Sequence, residues 1–469
     1  MQYSNHTSAF SQTASAFSAC SLIALLWLQI PHPAIAALAL LPIMLICGLI
    51  APFLVCLAFI AFSFFRLHEV FPQLYPLRIP QLLALGTLAS LSINMLVGRM
   101  QPFWCRELGV FTLFFVLVCI GSLLASNRAE AIASLSGTYI KIAIIVFAIS
   151  WLLTKPSQFR LLLLTMVVVG ILVGLVTLYN KANGLELVEG TRVTIGRSIG
   201  SMLGDPNDLS LVLLFPASFA LAMLLTPQFN IGWKLLGLSG YILVVCAIIA
   251  TQSRGGLLGI CAVSGIFAWH RVQNKVLLIS VGLLALSVLF VLAGVSDRAS
   301  GGAHEEGIDE SAMGRIYAWQ AAFGMALHNP LFGVGLNNFI FNYFDYSPHW
   351  DGKNHAVHST WFGVMAETGL VGLIVFLALI YMIARLSISA YQRTNPKTPD
   401  YQPVLFAAAQ SLQAGLAGFC VSGTFLTMGF TWPLYILLAL AIALSNCTQN
   451  RSQNDSQSNS EQHAKNVTN

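Results

Sequence analysis

Charge is what this chain has least of. Asp, Glu, Lys and Arg make up 9% of its 469 residues, where a soluble domain carries about a quarter. With 57% hydrophobic residues and a mean hydropathy of +0.76, that scarcity excludes a soluble globular fold and leaves an integral membrane protein. Clusters of Lys and Arg are also lacking, and a net charge of +5 spread thinly argues against nucleic acid as a partner. The nine cysteines lie in or beside apolar runs, in short loops or in the tail. None falls in the two longest internal polar loops, which speaks against a disulfide framework or a cysteine metal site. Internal repeats are missing too, which weakens a transporter reading. The start, "MQYSNHTSAFSQTASAF", lacks a basic n-region. The first apolar run is therefore expected to stay as a membrane helix.

Long apolar runs stand where the charges do not. About 20 apolar residues in a helix cross a bilayer. Such runs fall at 79–98, 107–125, 136–153, 159–178, 207–226, 236–252, 255–270, 275–294, 360–385, 405–423 and 427–445. Residues 17–65, chopped by Pro31, Pro33, Pro42 and Pro52, add one to three more. The fold expected is an all-α polytopic bundle of about 12–14 spans, a single membrane domain over residues 1–445. The polar residues 446–469 read as a disordered cytoplasmic tail.

Counting back from the tail, loops 99–106, 154–160, 227–235, 271–275 and 386–404 share its side. Loops 126–135 and 179–206, the 252–256 turn and loop 295–359 fall on the other. The tail side carries Arg99, Arg106, Lys155, Arg160, Lys234, Arg271, Lys275, Arg393 and Lys397 against Glu107 and Asp400. Positive charge is retained in the cytoplasm, so the opposite face is expected to be periplasmic. The loop with Arg66 and Arg78 also lands outside, against that rule.

Three polar features converge on the outer face. Loop 179–206 ends "GTRVTIGRSIGSMLGDPNDLSL" and places Arg192 and Arg197 shortly before Asp205-Pro206-Asn207-Asp208. Asp205 as N-cap and Pro206 as first helical residue would start the next span. In "TQSRGGLLG", Arg254 occupies a tight turn, and Gly255, Gly256 and Gly259 keep the following backbone bare. Its guanidinium could snorkel to headgroups or face a cavity. Within the long outer loop, "ESAMGRIYAWQAAFGMALHNP" predicts an amphipathic helix from near Ser311 to just before Pro330. Ile316, Trp319, Phe323 and Leu327 form its apolar stripe, and such a helix suits the membrane surface. Arg315 lies on its first turn. The "GVG" that follows reads better as a turn than as a phosphate loop.

Two histidines, His355 and His358, close that loop at the mouth of the next apolar run. Imidazole titrates nearest neutral pH and suits a general base. The outer-face arginines favour His358 for that role, while His355 fits a solvated interface residue. Glu367 does not pair with His358, since nine residues on a continuous helix amount to about 900° and about 13 Å of rise. It should instead serve another helix or cap a break before Gly369. The outer loops show no DxD, HExxH or Cys-His cluster at ligand spacing, so no metal is expected. Guanidiniums bind phosphate oxygens bidentately. With one base, they could hold a phosphate leaving group while an incoming hydroxyl loses its proton. ATP is absent outside the cytoplasmic membrane, which leaves a lipid-linked phosphate as donor.

"TQSRGG", "GRIYAWQAAFGMALHNPLFGVGLNNF" and "HSTWFGVMAETGLVGLIVF", in this order around one long loop, resemble the bacterial O-antigen ligase and polymerase family over roughly residues 190–385. That resemblance implies a glycosyltransferase of the C superfamily in the bacterial inner membrane, working without metal or cofactor at the periplasmic face. Its donor would be an undecaprenyl-diphosphate-linked glycan and its acceptor a lipid A-core, glycan or protein hydroxyl, among membrane lipids. The family's catalytic histidine matches His358. Its arginines match Arg254, Arg197 (or Arg192) and Arg315, with His355 and Glu367 as secondary candidates. Many relatives have His-Asn where this chain has His358-Ser359. Lipid A-core ligation is the first expectation. A repeat-unit polymerase or a pilin-type protein O-oligosaccharyltransferase comes next, and a polysaccharide or lipid transporter is the remote alternative.

Overall fold

The computed structural model describes residues 51–292, 310–350, 352–398 and 401–467. The spans expected within 17–50, and the stretch 293–309 of the long loop, lie outside the described residues. Helices form where the apolar runs predict them, because a backbone in lipid must satisfy its own polar groups. They are α1 (Pro52–Phe64), α2 (Leu67–Val70), α3 (Ile79–Leu96), α4 (Arg106–Leu124) and α5 (Arg128–Ser134), the last running through a π turn into α6 (Ile140–Leu152). Then follow α7 (Pro156–Ala182), α8 (Pro206–Leu225), α9 (Ile231–Thr251), α10 (Arg254–Arg271) and α11 (Lys275–Leu292). The long loop contributes α12 (Glu310–His328) and α13 (Phe339–Tyr346), and α14 (Thr360–Arg393), α15 (Pro403–Gly423) and α16 (Trp432–Val467) complete the chain. Among the described residues the strands are two, β1 (Leu187–Val188) and β2 (Arg192–Val193), an antiparallel ribbon after α7.

Nine helices of the described residues are long and apolar enough to cross a membrane: 74–96, 106–124, 128–152, 156–182, 206–225, 231–251, 360–393, 403–423 and 432–449. Helices 52–64 and 275–291 are apolar but shorter. The expected span 255–270 is present as α10, whose terminal Arg254, His270 and Arg271 lower its mean hydropathy. α8, α15 and α16 form the buried centre of the bundle. α16 runs on to Val467, so backbone helix continues through the polar tail for which the sequence predicts no order. Its apolar first half packs into the core as far as Thr448.

Contacts sort the loops into the two sides the sequence predicts. At one end Arg271 donates to the Leu225 carbonyl and the Tyr401 hydroxyl to the Pro227 carbonyl, both loops of the tail side. At the other end Asn338 meets Ser126 and Asn127, and Arg192 meets Thr251. The loop with Arg66 joins this second group through Glu69 and Ser201.

One glycine decides the shape of α14. Gly369 sits at φ 72°, ψ −175° and breaks the helix. The break leaves backbone groups unpaired inside the bundle, and the segment after α12 pairs them. Leu370 N–H donates to the Pro330 carbonyl (2.8 Å), while Val334 N–H and Gly335 N–H donate to the carbonyls of Ala366 (2.9 Å) and Glu367 (3.2 Å). The expected turn at "GVG" is thus a wedge inserted into a kinked helix. A Cβ on Gly369 would lie 2.4 Å from the Pro330 oxygen.

Candidate functional site

α8 begins as the sequence predicts. Asp205 caps it, accepting from Asn207 N–H (2.7 Å) and Asp208 N–H (3.3 Å), with Pro206 as first helical residue. Asn207, to which the sequence assigned no role, is the hub of the site's base. Its Oδ1 accepts from Arg192 Nη2 (2.9 Å) and from Ser253 Oγ (2.9 Å). Ser253 in turn caps α10 through Gly256 N–H. Loop 179–206 and the "SR" turn are therefore tied to each other across the head of α8.

The two candidate arginines of that loop part ways. Arg192 is buried, donates also to the Thr251 carbonyl (3.4 Å) and faces the Glu189 carboxylate at 3.9 Å. Arg197 stands exposed at the tip, where Nη1 donates to the Gly204 carbonyl (3.2 Å) and its backbone N–H to Glu186 (2.8 Å). Arg254, the first residue of α10, is exposed as well. Two of the glycines after it also serve helix packing. They admit neighbouring helices: a Cβ on Gly256 would lie 2.5 Å from Ser210 Oγ of α8, and one on Gly259 2.5 Å from Leu214. Small residues allow such close backbone approach.

α12 matches its predicted limits, and its face turned inward is the small one. Ala318, Ala321, Ala322, Met325 and Ala326 are buried, while Ile316, Phe323 and Leu327 of the apolar stripe are exposed. Trp319 is the exception, because its indole stacks on Phe362 (5.1 Å) and donates to the Val357 carbonyl (3.1 Å). One turn earlier, Arg315 lies over the Phe425 ring at 6.0 Å from its centroid. The i, i+4 spacing of "RIYAW" was the available signal that both side chains reach one place.

His358 is held from both sides. Val357 is buried and pinned by Trp319, and Ser359 is buried. Thr360 Oγ1 donates to the Leu426 carbonyl (2.7 Å) and accepts from Met428 N–H (3.1 Å). Between these anchors His358 takes φ 45°, a left-handed conformation unusual outside glycine. The residue is exposed overall, yet protein packs around its ring. Burial pushes its pKa below the ordinary imidazole value, followed by the positive charge of Arg315. Asp205 pulls it back up, and His355 lowers it further. The structure therefore gathers His358, Arg315, Asp205 and His355. His355 itself makes an edge contact with Tyr343 (5.4 Å). The Ser359 hydroxyl is buried without a hydrogen-bond partner among the described residues.

Glu367 does not meet His358, as helical phase requires. It is buried and accepts from the N–H groups of Asn337 (2.9 Å) and Phe339 (3.3 Å), capping α13 at the kink. Among the described residues no group of three or more His, Cys, Asp or Glu side chains is placed to hold a metal ion.

A family model described as O-antigen ligase matches residues 239–377, from the middle of α9 through the kink of α14. That stretch contains Arg254, Arg315, His358 and Glu367. No curated protein matches the chain.

Proposed function

Because the chain belongs to the O-antigen ligase family through residues 239–377, we propose that its glycosyl transfer uses an undecaprenyl-diphosphate-linked glycan and ends on a lipid A-core hydroxyl at the periplasmic face. The observation that carries this reading is His358, a strained, exposed imidazole whose pKa burial and the nearby Arg315 hold below the ordinary value. Neutral imidazole can take the proton of the acceptor hydroxyl. The acceptor oxygen then bonds to the anomeric carbon as the bond from that carbon to the diphosphate breaks, and the electron pair leaves with undecaprenyl diphosphate. Arg254 and Arg197 hold that departing charge, and Arg315 adds to the positive field. Arg192, bound to Asn207 and Thr251, shapes the floor beneath them. The exposed apolar stripe of α12 fits a site that both lipid-anchored substrates enter from the membrane plane. The loops of the opposite side carry nine Lys and Arg against Glu107 and Asp400, which supports the periplasmic assignment.

Repeat-unit polymerisation is the second reading. A polymerase must hold two undecaprenyl-linked glycans and so needs a second diphosphate site. Arg66, one further arginine at this end, is already paired with Glu69. A deletion strain decides between them. It should accumulate full-length polymer on undecaprenyl diphosphate and make lipopolysaccharide without long chains. Lipopolysaccharide capped with one repeat unit would identify a polymerase, and intact lipopolysaccharide beside an unglycosylated pilin would identify a protein glycosylase.

A further inference from the structure

Glu69 lies well outside the matched domain, in the connection between α1 and α3, yet it is buried at the site's end of the bundle. Its carboxylate pairs with Arg66, whose Nε donates at 2.6 Å, and accepts from Ser201 Oγ at 2.5 Å. Ser201 is the keystone of the loop that carries Arg197. Its N–H donates to the Gly196 carbonyl (3.0 Å), and its Oγ accepts from Leu203 N–H (3.0 Å). Ile195 N–H closes the same ring onto the Leu203 carbonyl (3.0 Å). Arg197 projects from this ring, braced by Gly204 on one side and Glu186 on the other. The ring's further end runs directly into Asp205, the cap of α8 and neighbour of His358.

A short loop with an exposed guanidinium at its tip loses conformational freedom only if something rigid holds it. The bond from Ser201 to Glu69 is that hold, since it fastens the ring to a buried ion pair on a separate element. We propose that Glu69, acting through Ser201, is a positioning residue that sets Arg197 for the donor diphosphate, so that the N-terminal segment completes a site otherwise built by later residues. This rests on the proposed function, because it takes Arg197 as a diphosphate ligand. A ligand that grips the bound donor and the departing charge alike is read in kcat/KM for the donor.

The test uses the full chain in lipid nanodiscs, with Ser201→Ala and Glu69→Gln each compared at equal insertion. Ser201→Ala removes the hold while leaving the Arg66–Glu69 pair in place. It should lower kcat/KM for the undecaprenyl-diphosphate-linked glycan about tenfold, with the acceptor KM within about twofold. In an Arg197→Ala background the same change should add nothing, as expected of residues that act through one another. Both variants should also speed trypsin cleavage of the Arg197–Ser198 bond several-fold. Unchanged cleavage, or a loss that simply adds to that of Arg197→Ala, overturns the proposal. If the unaltered chain transfers nothing from this donor, the proposed function falls, and the cleavage rates alone still decide whether Glu69 holds the loop.

Discussion

At the scale of single residues, His358 carries the heaviest demand. His358→Ala should abolish transfer, a loss of about 10²–10⁴-fold for a general base, while the protein inserts and accumulates normally. His355→Ala should be milder, since that ring abuts Tyr343 and acts on His358 by lowering its pKa. Only the unprotonated imidazole can accept a proton. A pKa held below the usual value of about 6.5 therefore keeps the base competent into mildly acidic solution. kcat/KM should fall only as pH drops through that lowered value. Arg315→Gln removes one of the causes of the lowering, so besides any loss in rate it should move the acid limb of kcat/KM to higher pH. An unmoved limb would separate Arg315 from His358. Arg254→Lys keeps the charge but loses the planar fork that grips two phosphate oxygens. Most transfer should disappear in an assay with purified protein, and EDTA should leave the remainder unchanged.

Elements position these groups through their ends and their breaks. The kink at Gly369 presents the Ala366 and Glu367 carbonyls to the wedge and turns the Glu367 carboxylate onto the head of α13. Any residue with a Cβ would meet the Pro330 carbonyl there and would also adopt a backbone conformation reserved for glycine. Gly369→Ala should cost about 1–3 kcal/mol from the backbone alone, with steric overlap in addition. Gly265→Ala, on a helical face with open space around it, should be neutral or stabilising. Thermal unfolding of the two variants in detergent checks the contrast. The limits of α12 and the capped start of α8 were legible in the sequence, because stripe, cap and proline are local signals. The partner of Glu367 was not, since a break frees groups without saying which segment comes to meet them.

For the molecule as a whole, the two ends of the bundle are the testable quantity. Hydrogen bonds tie loop 179–206 to the end of α9 beside the "SR" turn, Asn127 to Asn338, and Pro227 to Tyr401, pairs that the alternation of loops puts on common sides. In a background stripped of the nine native cysteines, a cysteine at Asn183 should react with a membrane-impermeant thiol reagent applied from the periplasm. One at Lys397 should not. Both positions are exposed, so only sidedness distinguishes them. The reverse pattern would place His358 with the cytoplasm, away from the proposed donor.

Scarcity of charge and the period of the apolar runs determined by themselves that this is a helical membrane bundle, and the alternation of loops determined which polar segments share a side. His358, Arg254, Arg197 and Arg315 were also candidates from the sequence, because base and guanidinium chemistry belong to residue types. Tertiary structure alone decided which arginine turns inward. Arg192 finds Asn207 and Thr251, while Arg197 is left at the loop's tip. It also decided that Gly256 and Gly259 seat helices, and that Glu69 meets Ser201 across 132 residues of chain. Periodicity and capping act over one or two helical turns and so are written locally. A buried polar group takes whichever partner the packed helices bring within reach, and that choice exists only once the bundle has closed.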